Sequence, residues 1–464
     1  MQKRIGENEN IAVGGGTGVD KVEYFPRKKL FEESQDLVAT FYSTGDYISE
    51  NASEYTSMLT KENEKDEFYY CLYLLSMLSN TNDLLKVIEH IVKSLNSFRV
   101  RRKVTSIEEF QGEIDIEAYI TRNYVEKVSP KEYPSVIKYS TFQMPEYQLT
   151  LYIIRRVEEI YHSIFEILGD NEKVTAFKMA HRYCDRIKKN GLLLRRKYGV
   201  DYKRKETYLS LKKKVIYRYR NRKILNKDFK VLIQLFEKMI QLKGIDLSSS
   251  EALDVLDHYP EFDDRLYEIW LIRKSTEMLA HSMGIDRSMV IYNPLFRARK
   301  NNESVVSLTG NGYRIEILFQ NRKKFMPKED LKWFYWTDDG KQDEIGAIPD
   351  LIFIRYMDGS DEPEQIVLVD AKNRTWTFNH MEPIKNEIVQ QIYIHDNFIT
   401  LFKDRYCSML VAHNIETLQT RKYYHKDKSG YEIDVISMNM ENESELNNSL
   451  EKYIEDLKEY LDIL

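Results

Sequence analysis

Two apolar stretches decide the fold of this chain, IPDLIFI at residues 348–354 and QIVLVDAK at residues 365–372. Both are rich in strand-forming residues, and the Asp-Gly pair between them is a good turn former, so they predict two antiparallel strands joined as a hairpin. If the hairpin is symmetric about Ser360, Asp350 lies directly opposite Asp370, because each is ten residues from the centre. The sequence therefore predicts two facing carboxylates at one end of an apolar hairpin.

These carboxylates and a nearby lysine predict a metal-dependent hydrolase. Like charges that face each other destabilise a sheet unless something compensates them, and a divalent cation does so. Lys372 follows Asp370 by two positions, so in an extended strand both side chains project from one face. We expect Asp350 and Asp370 to hold Mg²⁺, with Mn²⁺ as a substitute. We expect Lys372 to orient or deprotonate the water that attacks a phosphodiester.

The composition argues against several other classes of protein. A length of 464 residues is too long for one ordinary domain, and 42% hydrophobic with 31% charged residues is typical of a soluble globular protein. No apolar run is long enough to cross a bilayer and the N-terminus lacks the apolar core of a signal peptide, so we expect a cytoplasmic protein without membrane contact. The three cysteines and nine histidines are scattered, so oxygen ligands must hold any metal.

The hairpin residues resemble the PD-(D/E)XK nuclease superfamily, whose pattern is matched here by Pro349-Asp350 and Asp370-Ala371-Lys372. The resemblance implies a mixed α/β restriction-endonuclease-like core. It also implies that the main-chain carbonyl of Ala371 joins the two aspartates as a metal ligand.

The same resemblance implies functional residues from two flanking helices. Glu268 is the best match for a glutamate from the helix before the core, and the alternative is a helix-surface acid paired with Arg265 or Lys274. Gln390 or Gln391 is the candidate from the helix after the core, and the alternative is an ordinary polar residue on a half-buried helix. The implied catalytic set is Asp350, Asp370, Lys372, Glu268 and Gln390, and the implied metal ligands are Asp350, Asp370, Ala371 and Glu268.

A narrower resemblance comes from Tyr267-Glu268-Ile269-Trp270, which is similar to the McrC-like subunits of bacterial modification-dependent restriction systems. It implies the DNA-cleaving effector of a restriction or anti-phage system. No Walker A sequence occurs in the chain, so any NTP-driven step would need a separate, ring-forming NTPase partner.

Residues 181–230 form a basic segment, with 19 Lys and Arg against four Asp and Glu in a chain of net charge −5. Such an asymmetry, with interleaved tyrosines, is typical of a region that binds nucleic acid, and the alternative is a set of solvated helices. The predicted contacts are Arg195, Arg196, Lys197, Lys203, Arg204, Lys205, Lys212, Lys213, Lys214, Arg218, Arg220 and Arg222. The next candidates are Arg99, Arg101, Arg102 and Lys103.

The apolar spacing divides the chain into four predicted parts. They are a flexible tail at 1–25, an α+β region at 26–140, a helical region with the basic segment at 141–255, and the nuclease domain at 256–464. The predicted fold class is therefore a mainly helical α+β N-terminal region followed by a mixed α/β core.

Individual elements are also predicted. They are two helices within 66–96 broken at Ser79–Asn82, a helix from Pro145 to Gly169, helical spacing onward to Leu242, a cap at Ser250, a helix at 263–282, strands at 305–308, 313–319 and 408–413, a helix at 384–403 and an amphipathic C-terminal helix.

Two other functions are also compatible with the sequence. The first is a nucleic-acid-binding or scaffold subunit that keeps the fold with an inactive centre, although the joint presence of Asp350, Asp370 and Lys372 argues against it. The second is an RNase, because nothing in the sequence separates DNA from RNA. The sequence also allows a homo-oligomer.

Overall fold

The structure is a computed structural model. It describes residues 27–42, 67–169, 174–202, 206–259, 261–295, 298, 303–310, 312–320, 334–336, 342–344, 349–373, 406–413, 421–424, 432–438 and 442–463. The tail predicted at 1–25 and the helix predicted at 384–403 lie outside these residues.

The helices precede most of the strands along the chain. The helices are α1 (Arg27–Tyr42), α2 (Glu67–Lys93), α3 (Ile116–Ile120), α4 (Pro145–Leu168), α5 (Thr175–Leu192), α6 (Tyr208–Arg220), α7 (Asp228–Ile240), α8 (Ser250–His258), α9 (Glu261–Ser282) and α10 (Glu443–Tyr460). The strands are β1 (Phe98–Ser106), β2 (Glu113–Ile114), β3 (Tyr133–Thr141), β4 (Val290–Tyr292), β5 (Val306–Gly310), β6 (Tyr313–Phe319), β7 (Phe334–Trp336), β8 (Gln342–Glu344), β9 (Leu351–Met357), β10 (Pro363–Lys372), β11 (Tyr406–His413), β12 (Arg421–Tyr424) and β13 (Glu432–Met438).

The N-terminal half is a bundle built around α2, which packs against α4, α5, α7, α8 and α9. The prediction of two helices here was wrong, because α2 runs unbroken through the polar stretch at 79–82. The reason is that the polar groups find partners inside the bundle. The Asn80 amide donates to the Ser76 carbonyl at 2.8 Å, and the Tyr161 hydroxyl donates to Thr81 Oγ1 at 3.0 Å.

Other predicted boundaries were close. The helix α4 begins at Pro145 and ends at Leu168, and Gly169 follows it with a φ of 76°. The cap predicted at Ser250 was wrong by one residue, since the Ser249 side chain accepts a hydrogen bond from the backbone N–H of Ala252. The helical spacing predicted through the basic segment resolves into α5, α6 and α7, with short π-helical or irregular connections.

A small sheet of order β1-β3-β2 is formed by the part of the chain that connects α2 to α4. The large sheet has the order β12-β13-β11-β10-β9-β6-β5-β4. Its neighbours are antiparallel from β4 to β10, and parallel from β10 to β11 and from β11 to β13. The chain is thus an α+β protein with N-terminal helices and a mixed C-terminal sheet, as predicted.

The core of the large sheet lies at β9 and β10. Residues 351–354 and 366–369 are all buried, so both faces of the hairpin are covered and its strands are apolar without alternation. The helices α9 and α10 both pack against β10. The described residues include no helix long and apolar enough to cross a membrane.

Candidate active site

The end of the β9–β10 hairpin brings the two predicted aspartates together. The strands pair in antiparallel register, with Leu351 opposite Val369 in the last pair. One position further, the same register sets Asp350 opposite Asp370, as symmetry about Ser360 predicts. A β-bulge near Pro363 lies at the other end of the pairing and does not disturb this register.

Asp350 lies just before β9, and its carboxylate reaches the neighbouring strand. Its Oδ2 accepts a hydrogen bond from the backbone N–H of Ala371, at an N···O distance of 2.9 Å. A residue in an antiparallel pair directs its N–H and C=O toward the same neighbour, so the Ala371 carbonyl is expected on the Asp350 side. Asp370 precedes Ala371 and is 3% exposed. The carboxylates and this carbonyl therefore belong to one end of the hairpin.

Gln320, the residue after β6, connects this end of the hairpin to α9. Its backbone N–H donates to the Asp350 carbonyl at 2.8 Å, and its side-chain Nε2 donates to Glu268 Oε2 at 3.0 Å. Its φ is 44°, in the left-handed region that costs a non-glycine residue about 1–2 kcal/mol. Backbone strain of this kind concentrates at functional sites, where the surrounding contacts hold it in place.

Gln320 is the residue that sequence reasoning missed. Its side chain contacts Glu268, 52 residues earlier in the chain, and its backbone contacts Asp350 at the start of another strand. No local sequence pattern marks such a residue. The one signal in the sequence is its place directly after a strongly apolar strand.

Glu268 lies on α9 and is 6% exposed, so it is a buried acid. Its Oε2 also accepts a hydrogen bond from Arg265 Nη1 at 3.2 Å, and the Arg265 guanidinium lies 5.2 Å from the centroid of the Phe319 ring. Lys274, the other partner considered from the sequence, forms its ion pair with Glu33 at 2.8 Å. The contacts of Glu268 thus include the Arg265 cation and the Gln320 amide, which lies at the end of β6.

Of the remaining predicted site residues, Lys372 lies within the described structure and the two glutamines do not. Lys372 is the last residue of β10, two positions after Asp370, and pairs with Ala412 of β11. Gln390 and Gln391 lie outside the described residues.

The donor groups at the hairpin end are carboxylate and carbonyl oxygens, which are the ligands that Mg²⁺ prefers. No three His, Cys, Asp or Glu side chains among the described residues lie close enough together to hold one metal ion. Mg²⁺ in proteins often uses one or two carboxylates and keeps several waters. The two aspartates fit such a site, while the structure links Glu268 to Asp350 through Gln320.

Three of the predicted nucleic-acid contacts are engaged in ion pairs within the bundle. Arg218 Nε donates to Glu146 at 3.0 Å, and Glu146 is 2% exposed. Lys212 pairs with Glu237, and Lys214 pairs with Glu206. Lys203, Arg204 and Lys205 lie outside the described residues.

Other predicted contacts are exposed and form no ion pair with any residue that the structure describes. Five of these cations, together with the neighbouring Lys223, cluster in two segments that we call the basic collar: Arg195, Arg196, Lys197, Arg220, Arg222 and Lys223. Lys213 on α6 is also exposed and has no ion pair within the described chain.

The two collar segments lie at the same end of the helical bundle, beside the start of α4. The Tyr198 ring lies 5.0 Å from the Phe142 ring, and the Gln148 amide donates to the Asp201 carbonyl at 2.9 Å. Arg218, which precedes the second segment, lies over the Phe98 ring at 5.8 Å. The fold therefore gathers part of the basic segment around the base of the small sheet.

A cleft of about 440 Å³ lies elsewhere, between α1, the C-terminal part of α9 and β4. Its walls include Arg273, Thr276 and Glu277 of α9, more than one helical turn beyond Glu268. The cleft is therefore separate from the hairpin end that carries the aspartates.

No protein-family model matches this chain. No curated protein matches it either. Among solved structures, it is similar to a chain in a Thermococcus gammatolerans assembly of McrB AAA+ hexamers with bound McrC, with 8% identity and a TM-score of 0.28. The match covers 92% of this chain and 78% of that chain. A TM-score this low does not bear on function, so the function proposed below rests on the residues of this chain.

Proposed function

We propose that this chain is a metal-dependent endonuclease that hydrolyses DNA phosphodiester bonds. The observation that carries the proposal is a hydrogen-bonded path from Glu268 through Gln320 and Asp350 to Ala371, which joins α9, β6, β9 and β10. Three separate sequence segments thus meet where two acids face each other. A structural hairpin would not require that a buried glutamate, a strained glutamine and two aspartates converge there.

Asp350, Asp370 and the Ala371 carbonyl would hold Mg²⁺, and Glu268 would support this site from α9 through Gln320, not as a third carboxylate ligand. The bound ion would lower the pKa of a coordinated water and polarise the phosphate. The protein's own residues fix the geometry, because the Ala371 N–H orients the Asp350 carboxylate and the Gln320 amide orients Glu268.

We propose that Lys372 orients or deprotonates the attacking water and offsets the charge that develops on the phosphate. Its position two residues after Asp370 on β10 is the basis of this assignment. Gln390 keeps its proposed role as the polar residue from the following helix, on the strength of the sequence resemblance.

The basic collar is the surface that we propose for the DNA backbone. Exposed cations without ion pairs can exchange their counterions for phosphates, whereas cations already paired with carboxylates gain less. We therefore propose the exposed collar cations without ion pairs, and not the whole basic segment, as the phosphate contacts.

The biological role that we propose is the effector of a bacterial restriction or anti-phage system, which acts with a separate ring-forming NTPase. The sequence resemblance around Tyr267-Glu268-Ile269-Trp270 supports this role.

The deciding experiment is incubation of the purified chain with plasmid, linear duplex DNA, single-stranded DNA and RNA, with and without Mg²⁺. We expect cleavage of DNA with Mg²⁺ or Mn²⁺, no cleavage in EDTA, and binding without turnover in Ca²⁺, because Ca²⁺ orders its ligands loosely. Cleavage of RNA alone would mean that the substrate is RNA and not DNA. No cleavage with any metal would favour the non-catalytic nucleic-acid-binding subunit.

A further inference from the structure

The small sheet forms an arm at the collar end of the bundle. Strands β1 and β3 pair over nine residues, from Phe98 opposite Thr141 to Ser106 opposite Tyr133. The third strand, β2, has two residues and joins β3 at Val136 and Ser135, so the half nearest the bundle is a two-stranded ribbon. At a rise of about 3.3 Å per residue the ribbon is roughly 30 Å long.

One face of the ribbon carries four cations. Directly opposed residues share a face, so Arg99, Arg101 and Lys103 of β1 lie on the same face as Lys138 of β3. All four side chains are exposed, and Ser140 beside them is exposed too. This face therefore presents a row of cations to solvent.

Two of these four cations pair with acids of the arm. Lys103 pairs with Asp115 at 2.7 Å, and Lys138, which lies opposite Arg101, pairs with Glu113. Arg99 and Arg101 form no ion pair with any residue in the described part of the chain, although Arg101 also contributes to the electrostatic stabilisation of the Glu113 carboxylate. At the base of the ribbon, Phe98 packs against Tyr147, with ring centroids 6.4 Å apart.

The base of the ribbon, with Arg99, lies next to the basic collar. Arg218 lies over Phe98, the residue before Arg99, and leads into the collar residues Arg220 and Arg222. The arm and the collar thus bring cations from three distant parts of the sequence to one end of the bundle. A ligand of both the arm and the collar must be an extended polyanion, because no compact anion could contact both parts.

We propose that the β1–β3 ribbon lies in the major groove of double-stranded DNA while the basic collar contacts the flanking phosphates. The inference rests on the proposed function for its choice of ligand. The major groove of B-DNA is about 12 Å wide and admits a two-stranded ribbon, whereas the major groove of A-form RNA is too deep and narrow. Arginine is also the side chain that most often reads guanine in that groove.

The test is DNA binding in EDTA, where no cleavage can occur, measured for duplex DNA, duplex RNA and single-stranded DNA. The variant is Arg99→Gln/Arg101→Gln. The matched control is Lys452→Gln/Lys458→Gln on α10, which removes the same charge from a helix that packs on the large sheet. Circular dichroism and thermal unfolding check that both variants fold.

We expect the ribbon variant to bind duplex DNA roughly tenfold or more weakly at moderate salt, since each arginine that contacts a base edge contributes about 1–3 kcal/mol. Its salt slope should fall by up to about 1.8, because each phosphate contact contributes about 0.9. The wild type should protect guanine N7 from dimethyl sulfate and the variant should not. The control should match the wild type in all three measurements.

Unchanged affinity and salt slope in the ribbon variant would overturn the proposal, as would equal binding of duplex RNA or unprotected guanine N7. The nuclease proposal can fail independently of this one. A chain that binds duplex DNA through the ribbon but cleaves with no metal would support the ribbon proposal and contradict the nuclease proposal.

Discussion

The chemistry assigned to the hairpin end depends on charge at three positions, which single substitutions can remove. We expect Asp370→Asn, Asp350→Ala or Lys372→Ala to lower DNA cleavage by roughly 10²-fold or more, the usual cost of losing one group that stabilises the transition state. Asp370→Asn keeps the volume of a side chain that is 3% exposed, so folding should persist. Plasmid nicking measures the activity.

Thermal unfolding and DNA binding in Ca²⁺ are the controls for these variants, and both should resemble the wild type. A purified variant of any of the three residues with full activity would remove that residue from the site.

Gln320 offers a test of positioning, because its side chain and its backbone strain can be separated. Both Gln320→Ala and Gln320→Gly remove the hydrogen bond to Glu268, whereas glycine alone adopts a positive φ without cost. We expect both variants to lose activity, and Gln320→Ala to be the less stable by about 1 kcal/mol in urea unfolding.

The metal dependence of cleavage tells positioning from mere structural support at Gln320. The groups that orient a metal site set its affinity, so both variants should need a higher Mg²⁺ concentration for half-maximal cleavage than the wild type. An unchanged half-maximal Mg²⁺ concentration in both variants would mean that Gln320 only stabilises the fold.

At the scale of elements, α1 is held to α9 by Glu33. Its carboxylate accepts a hydrogen bond from Trp270 Nε1 at 2.8 Å and pairs with Lys274 at 2.8 Å. Burial raises the pKa of Glu33, but the hydrogen bonds from Lys274 and Trp270 outweigh it and leave the pKa below its usual value. A lowered pKa in the folded state means that this stabilisation is present above the ordinary glutamate pKa and is lost as pH falls through the folded-state pKa.

We therefore expect Glu33→Gln to lower the free energy of unfolding by about 1–2 kcal/mol at pH 7, as for a hydrogen-bonded charge that is partly exposed. The difference from the wild type should shrink as the pH falls below about 4. Glu32→Gln on the exposed side of α1 is the matched control. A difference that stays constant across this pH range would contradict the role of the Glu33 charge.

The elements also show where sequence reasoning succeeds and fails. The hairpin register was predictable because two apolar strands and an Asp-Gly turn leave one symmetric pairing. The unbroken α2 was not, because the pattern shows neither that Asn80 bonds back to the Ser76 carbonyl of the same helix nor that Tyr161 of α4 donates to Thr81. Gln320 was invisible because, like the contact of Thr81, both of its contacts are long-range.

At the scale of the whole molecule, the cations of the basic segment divide into those that pair with glutamates and exposed ones that form no ion pair with any described residue. Replacing Arg195, Arg196 and Lys197 of the collar together by Gln should lower the salt slope of DNA binding by roughly 2–3, about 0.9 for each phosphate contact. The same change at Lys212, Lys213 and Lys214 should lower it by only about 0.9, since two of these lysines already pair with glutamates.

Filter binding or fluorescence anisotropy over a range of salt concentrations measures both slopes. Equal slopes for the two triple variants would mean that DNA phosphates contact the collar no more than they contact the lysines of α6. In either variant the cleavage rate at saturating DNA and low salt should approach the wild-type rate, because the hairpin end lies on a different element.

The position of β10 in the large sheet has a consequence for how the centre assembles in time. On one side β10 pairs with β9 after a short turn, and on the other it pairs with β11, which begins only at Tyr406 although β10 ends at Lys372. Contacts between near neighbours in sequence form faster than those that close a long loop. Pulsed hydrogen exchange during refolding should therefore protect the amides that join β9 to β10 before those that join β10 to β11, so that Asp350 and Asp370 face each other before β11 is added beyond them.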